Sequence, residues 1–326
     1  MAPSAKIAMA GSDTNEAGAA TRAEGCQDVQ SRQGRDMRWF ATATPADIRR
    51  CLAVKGVNHN KLLYRAASPI FRDDDTASGV RAILATGVDP NVSPYGGQST
   101  PLAFWARAGW IPSYAKQPLP LGRSPEADEA VVRAFLETGA DPNAMKTSGF
   151  RTGQSKPVVP LLRAASRNRT IPTKIYSASW GQNWRVLHAA IGSNRSTRSI
   201  AALLEYGADP NLTIAPGHDW TALHVAAFMA RADVIRLLLA HGADPHAKTS
   251  YRGWTALHTL AVGASGPGAA ESGHLLLDSG IDPKLRDRKR QTAWDLVRAR
   301  ITPELIETFP PEVRQVLARL QTATRG

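Results

Sequence analysis

DWTALHVAAFMARADVIRLLLAHGADPHAKTSYRGWTALH, residues 219–258, ends on the four residues, Thr-Ala-Leu-His, that stand near its start. Each part between has a physical reason. Thr221 suits a helix N-cap and Ala222 to Phe228 continue that helix, while Val234, Ile235, Leu237, Leu238 and Leu239 give a second helix its apolar face. Gly242 then stops the second helix, because the residue there must adopt a left-handed conformation that costs glycine nothing. Asp244 and Pro245 form a turn, and a short polar hairpin leads to the next Thr-Ala-Leu-His. The unit is therefore a hairpin, a short helix, a loop and a longer helix. It cannot bury its apolar face alone, so it must stack on copies of itself.

The period of 34 residues from His224 to His258, with the TALH and GADP tags, resembles the ankyrin repeat. That resemblance implies an all-α repeat solenoid of about seven to eight helix-turn-helix units joined by short hairpins. Residues 37–301 are expected to form the array. Residues 1–36, rich in Ala, Gly, Ser, Gln and Thr, form a disordered N-terminal tail, and 302–326 a C-terminal capping helix and tail. The first unit is truncated, with Pro45 at a helix start and Ile48, Cys51 and Leu52 on one face; its Gly56 and Asn60 occupy the places of the later glycine and asparagine. The third unit carries Ala103 where later units carry histidine, and a proline-rich insertion, 109–125, between its helices. Gly139 and Gly207 are 68 residues apart, twice the period, which predicts one complete unit between them. VVPLLRAASRN (158–168) supplies its first helix, but no leucine-rich partner or closing tag follows. At the C-terminus Thr302 and Pro303 restart a helix, and Val313, Val316, Leu317 and Leu320 fall at helical spacing to cover the last unit.

Composition agrees with a folded array. Of 326 residues 43% are hydrophobic, enough for a packed interior. Two cysteines, Cys26 and Cys51, cannot form a disulfide framework and suit a reducing compartment. No run approaches the roughly 18 apolar residues that span a bilayer, and the N-terminus lacks the apolar core of a secretory leader. A cytoplasmic monomer is expected; a signal read by a secretion system would leave no mark in these patterns.

The chemistry expected is binding, without cofactor or metal. His188, His224 and His258 recur at near-equal spacing, but the resemblance implies that they join neighbouring units by hydrogen bonds. Units stacked about 10 Å apart would also hold them too far apart to share a zinc ion. No His-Glu-Xaa-Xaa-His, phosphate-binding loop or nucleophile elbow is present. The expected function is a non-enzymatic scaffold that binds another protein through its hairpin edge and concave first-helix face. Trp184, Trp220 and Trp254 each precede a helix-opening position and are expected in a row along that edge, either as interface anchors or packed on neighbouring hairpins. Residues 142–204 hold ten basic residues and no acidic one, against a net charge of +12 for the chain. Within them Arg163, Arg167, Arg169, Tyr176 and Trp180 are candidate partner contacts. The segment reads either as a solvated basic face or as a contact surface; another protein is the expected partner, an acidic surface among the candidates, and nucleic acid or another polyanion the alternative.

Overall fold

The computed structural model describes residues 45–67, 76–94, 99–107, 124–145, 184–214, 219–263 and 268–325. The expected tail 1–36, most of the insertion 109–125, and Arg163, Arg167, Arg169, Tyr176 and Trp180 lie outside the described residues. Fourteen helices occur among those described: α1 (Pro45–Ala53), α2 (His59–Ala66), α3 (Thr76–Leu84), α4 (Pro101–Arg107), α5 (Pro125–Glu137), α6 (Val186–Gly192), α7 (Thr197–Glu205), α8 (Ala222–Phe228), α9 (Ala232–Ala240), α10 (Ala256–Gly263), α11 (Gly268–Asp278), α12 (Ala293–Arg298), α13 (Pro303–Glu307) and α14 (Pro311–Arg325).

They form two layers. Helices α2, α4, α6, α8, α10 and α12 pack in sequence along one, and α1, α3, α5, α7, α9 and α11 along the other, making seven tiers among the described residues. The residue pattern explains the layering. In α9 the apolar face of Val234, Ile235 and Leu238 is buried while Asp233 and Arg236 point outward. Gly242 ends α9 at φ +79°, and Gly139 and Gly207 end their helices at +87° and +88°. A single apolar cluster runs from Ile48 through Leu102, Phe135, Ile191 and Leu223 to Leu320. The C-terminal helix α14 closes it, packing on α11 and α12 with Val316, Leu317 and Leu320 buried. Gly273 on α11 permits that approach: a Cβ there would lie 2.5 Å from Val316 Cγ1. Thr302 caps α13 as expected, its hydroxyl accepting the Leu305 N–H.

The largest departure from the sequence-based expectation lies after the third unit. Helix α4 packs directly on α6, and α5 directly on α7. No tier stands between the helices closed by Gly139 and Gly207. The Val186 N–H donates to the Ala144 carbonyl at 3.2 Å, and Met145 and Arg185 form an antiparallel bridge. Residues 146–183, and with them the expected fourth unit at 158–168, lie outside the described residues. The period argument assumed that a separation of two periods between closing glycines puts a tier between them, and the direct packing of α5 on α7 departs from it.

A smaller correction concerns the first tier. Asn60 lies inside α2, whose N-cap is Asn58, so it does not repeat the hairpin role of later asparagines. Cys51 is buried in that tier, as the apolar face of α1 requires, and Cys26 lies outside the described residues.

Candidate binding surface at the hairpin edge

The hairpins are fixed to one another by side chains whose spacing repeats. His188 Nε2 lies 3.0 Å from the Trp220 carbonyl, His224 Nε2 2.9 Å from the Trp254 carbonyl, and His258 Nε2 3.2 Å from the Gln291 carbonyl. A carbonyl only accepts, so Nε2 carries the proton in each. In His224 and His258 the other ring nitrogen faces the hydroxyl and the backbone N–H of the capping residue, Thr221 or Thr255. Nδ1 must accept from that N–H, and the imidazole is therefore neutral. Burial reinforces this, holding His224 down to about 4 and His188 to about 3, and lowering His258. The recurrent histidines join tiers, as the resemblance implied, and each is committed to a different carbonyl.

The unit of His188 differs in its cap. Arg185 stands where Thr221 and Thr255 stand, and its guanidinium reaches the carbonyls of Asn143 and Thr213. His188 Nδ1 is left buried without a hydrogen-bond partner.

A second ladder was not anticipated from the sequence. The Asn91 amide donates to the Gly139 carbonyl and accepts the Asp141 N–H. Asn143 does the same to Gly207 and Asp209, and Asn211 to Gly242 and Asp244. The Asn of each Asp-Pro-Asn thus clamps the closing turn of the next tier. The tag itself was visible, but its partner lies 31 to 66 residues away and no local pattern names it.

The tryptophan row is corrected in part. Trp184 and Trp254 are 8% and 3% exposed, so neither presents an anchor at the surface. Trp254 Nε1 donates to Asp287 Oδ2 at 3.1 Å, and Trp184 covers Gly192, where a Cβ would lie 2.5 Å from its ring. Trp220 is half-buried and packs against Phe228 at 5.5 Å between ring centroids. Each position was readable from the sequence, but the direction of the ring was not.

Three of the ten basic residues of 142–204 are described, and all are engaged within the chain. Arg185 holds carbonyls, and Arg198 lies 3.4 Å from Glu126. Arg195 is buried in a charged junction between the tiers of α5 and α7. Its guanidinium lies 3.5 Å from Asp128 and 4.8 Å from the centre of the Trp105 ring, and it donates to the Trp105 carbonyl. Asp128, 6% exposed, also accepts from Trp105 Nε1 at 2.8 Å and Ser199 Oγ at 3.2 Å. Burial disfavours the Arg195 cation and the Asp128 carboxylate opposes that effect.

The last two hairpins carry a different charge pattern. Tyr251 is 74% exposed, and the Arg252 guanidinium lies 4.6 Å from the centre of the Trp254 ring. Arg286, Arg288, Lys289 and Arg290 follow on the next hairpin, which is tied to the first by the Arg288 N–H donating to the Arg252 carbonyl at 2.8 Å. Arg290 sits at φ +64°, where the preceding hairpin has Gly253 at +68°. An L-residue there costs about 1 kcal/mol relative to glycine.

Among the described residues no group of three or more His, Cys, Asp or Glu could hold a metal ion, and no helix is long and apolar enough to cross a membrane.

Comparison with known proteins agrees with this geometry. The family model for ankyrin repeats in three copies matches residues 125–249 and 187–287. The chain belongs to the ankyrin repeat family. It is 41% identical over 76 residues to ankyrin repeat and SOCS box protein 16 of Mus musculus, covering 22% of this chain and 17% of that protein. It is 38% identical over 98 residues to Protein PhlB of Serratia liquefaciens, covering 30% of this chain and 40% of that protein. These matches span less than half the length of either relative. An ankyrin repeat domain from Acinetobacter baumannii, solved by crystallography, is similar in fold, with a TM-score of 0.51 at 20% identity over 80% of this chain and 97% of that one. Ankyrin repeats generally mediate protein–protein interaction, and as a family they are generally non-enzymatic scaffolds.

Proposed function

We propose that this protein is a non-enzymatic scaffold, acting as a monomer, that binds another protein through its hairpin edge and the adjoining concave face of the first helices. The observation that supports this most is the pairing of Met145 with Arg185 at the hairpin edge. The segment that separates them in the sequence, 146–183, has seven basic residues and no acidic one. A charge surplus confined to one segment is poorly suited to general solubility, which needs only dispersed charge. It suits steering of an acidic partner, with Arg163, Arg167 and Arg169 supplying charge and Tyr176, Trp180 and the half-buried Trp220 supplying contact area. Trp184 and Trp254 support the edge from beneath.

The test is charge reversal at Arg163, Arg167 and Arg169, with capture of partners from lysate at low and high salt, with and without nuclease. Protein partners lost on reversal and weakened by salt fit the proposal. Capture that survives reversal with the same salt dependence contradicts the steering role. Loss of nucleic acid alone, with protein capture unchanged, favours the polyanion reading, for which Tyr176 and Trp180 would provide stacking faces.

A further inference from the structure

We infer that the last two hairpins form a docking surface for an acidic polypeptide segment, separate from the basic segment 146–183; this rests on the scaffold reading above and names a second site on the hairpin edge. Tyr251, Arg252, Arg286, Arg288, Lys289 and Arg290 lie on two hairpins in backbone contact. None of these cations has an ion-pair partner among the described residues, whereas Arg133, Arg195, Arg231, Arg236 and Arg319 elsewhere in the stack are all paired. The one carboxylate within the run, Asp287, is buried and spent on the Trp254 indole and on the N–H groups of Lys289 and Gln291. Its charge shapes the hairpin and leaves the outward cations in place.

The backbone supplies an independent observation. Arg290 is held in the left-handed conformation at a place where the neighbouring hairpin uses glycine. A surface position that keeps arginine against its own backbone preference points to a use for the side chain.

The partner's chemistry follows from the extent of the patch. The cations span two hairpins; Asp219 on the hairpin before them accepts the Ser250 N–H, and Asp244, at the start of the first of the two, accepts the His246 N–H. A nucleic acid, which carries a charge at every phosphate, would run from the patch onto these carboxylates. A short acidic segment can place its carboxylates opposite the arginines and end there. Arginine forks match carboxylates in a bidentate way, and an exposed tyrosine beside them is a usual interface anchor.

The experiment uses the full chain and a fluorescein-labelled decaglutamate peptide, with anisotropy read at low and high salt. A single-stranded oligothymidine of equal charge is the comparison. The native chain is expected to bind the peptide more tightly than the oligonucleotide. Arg288→Glu with Lys289→Glu should weaken peptide binding about tenfold or more. Arg290→Gly should weaken it about threefold while its unfolding midpoint stays the same or rises, so that a folding defect cannot explain the loss. Equal peptide affinity in the variants, no peptide binding by the native chain, or tighter binding of the oligonucleotide would each overturn the inference. Peptide binding lost only on reversal at Arg163, Arg167 and Arg169 would also overturn it, and would leave the scaffold reading standing.

Discussion

The junction between the tiers of α5 and α7 and the junction between those of α8 and α10 do the same mechanical work with different chemistry. In the second, His224 bridges Thr221 to the Trp254 carbonyl as a neutral ring. In the first there is no histidine, since Ala103 stands in its place, and the tiers are joined instead through Asp128, Arg195, Trp105 and Ser199. The asparagine clamp is shared by that first junction and its neighbours, so the two devices fit one backbone geometry. The difference shows that the repeat specifies a spacing, and that buried polar groups can be exchanged provided each is satisfied. It also separates the consequences of damage. The charged junction depends on keeping a buried pair intact, and the imidazole junction depends on keeping a ring neutral.

The largest difference should come from Asp128→Ala. It leaves the Arg195 cation and the Trp105 indole buried without their acceptor, and should cost about 3–5 kcal/mol of unfolding free energy in urea titration. A loss below about 1 kcal/mol would mean that the junction is open to water. The imidazole junctions should instead respond to pH. An unfolded chain protonates its histidines near 6.5, while the folded chain keeps His224 neutral to about 4 and His188 to about 3. The unfolded chain therefore binds more protons between those values. Stability should be complete above pH ~6.5 and fall below it by up to ~1.4 kcal/mol per pH unit for each histidine, until its folded value is reached. A flat profile between pH 6.5 and 5 would contradict the neutral bridge.

His224→Ala, measured at pH 7, should cost about 1–3 kcal/mol by leaving the Trp254 carbonyl and Thr221 N–H without that partner, and should flatten part of the acid slope. The smallest effect is expected at the irregular cap. Arg185→Thr would offer His188 Nδ1 the hydroxyl that its counterparts have, and should add about 1 kcal/mol of stability. A loss would show that the two carbonyl contacts of Arg185 outweigh the orphaned nitrogen.

What the sequence revealed follows the range of the interaction. Thr221, His224 and Gly242 could be read because each acts within its own helix or turn, so spacing along the chain is spacing in space. Val316, Leu317 and Leu320 were legible for the same reason. The asparagine clamp was not, because its partner belongs to the next tier. Arg195 could not be told from a surface arginine, since the carboxylate it meets lies 67 residues away in the sequence. The period count misled for the same reason: a linear distance of two repeats between Gly139 and Gly207 does not say which helices stack on each other. Partner-contact assignments at Arg163, Arg167, Arg169, Tyr176 and Trp180 fall outside the described residues and stand on the sequence alone.

The charged junction depends on the direct neighbourhood of the tiers closed by Gly139 and Gly207. A double-mutant cycle between Asp128 and Arg195, using Asp128→Asn and Arg195→Met in the full chain and urea unfolding, measures it. Contact across one interface predicts a coupling of about 1–3 kcal/mol. Additivity of the two substitutions within about 0.3 kcal/mol would contradict it, as expected if a further tier held the two residues apart.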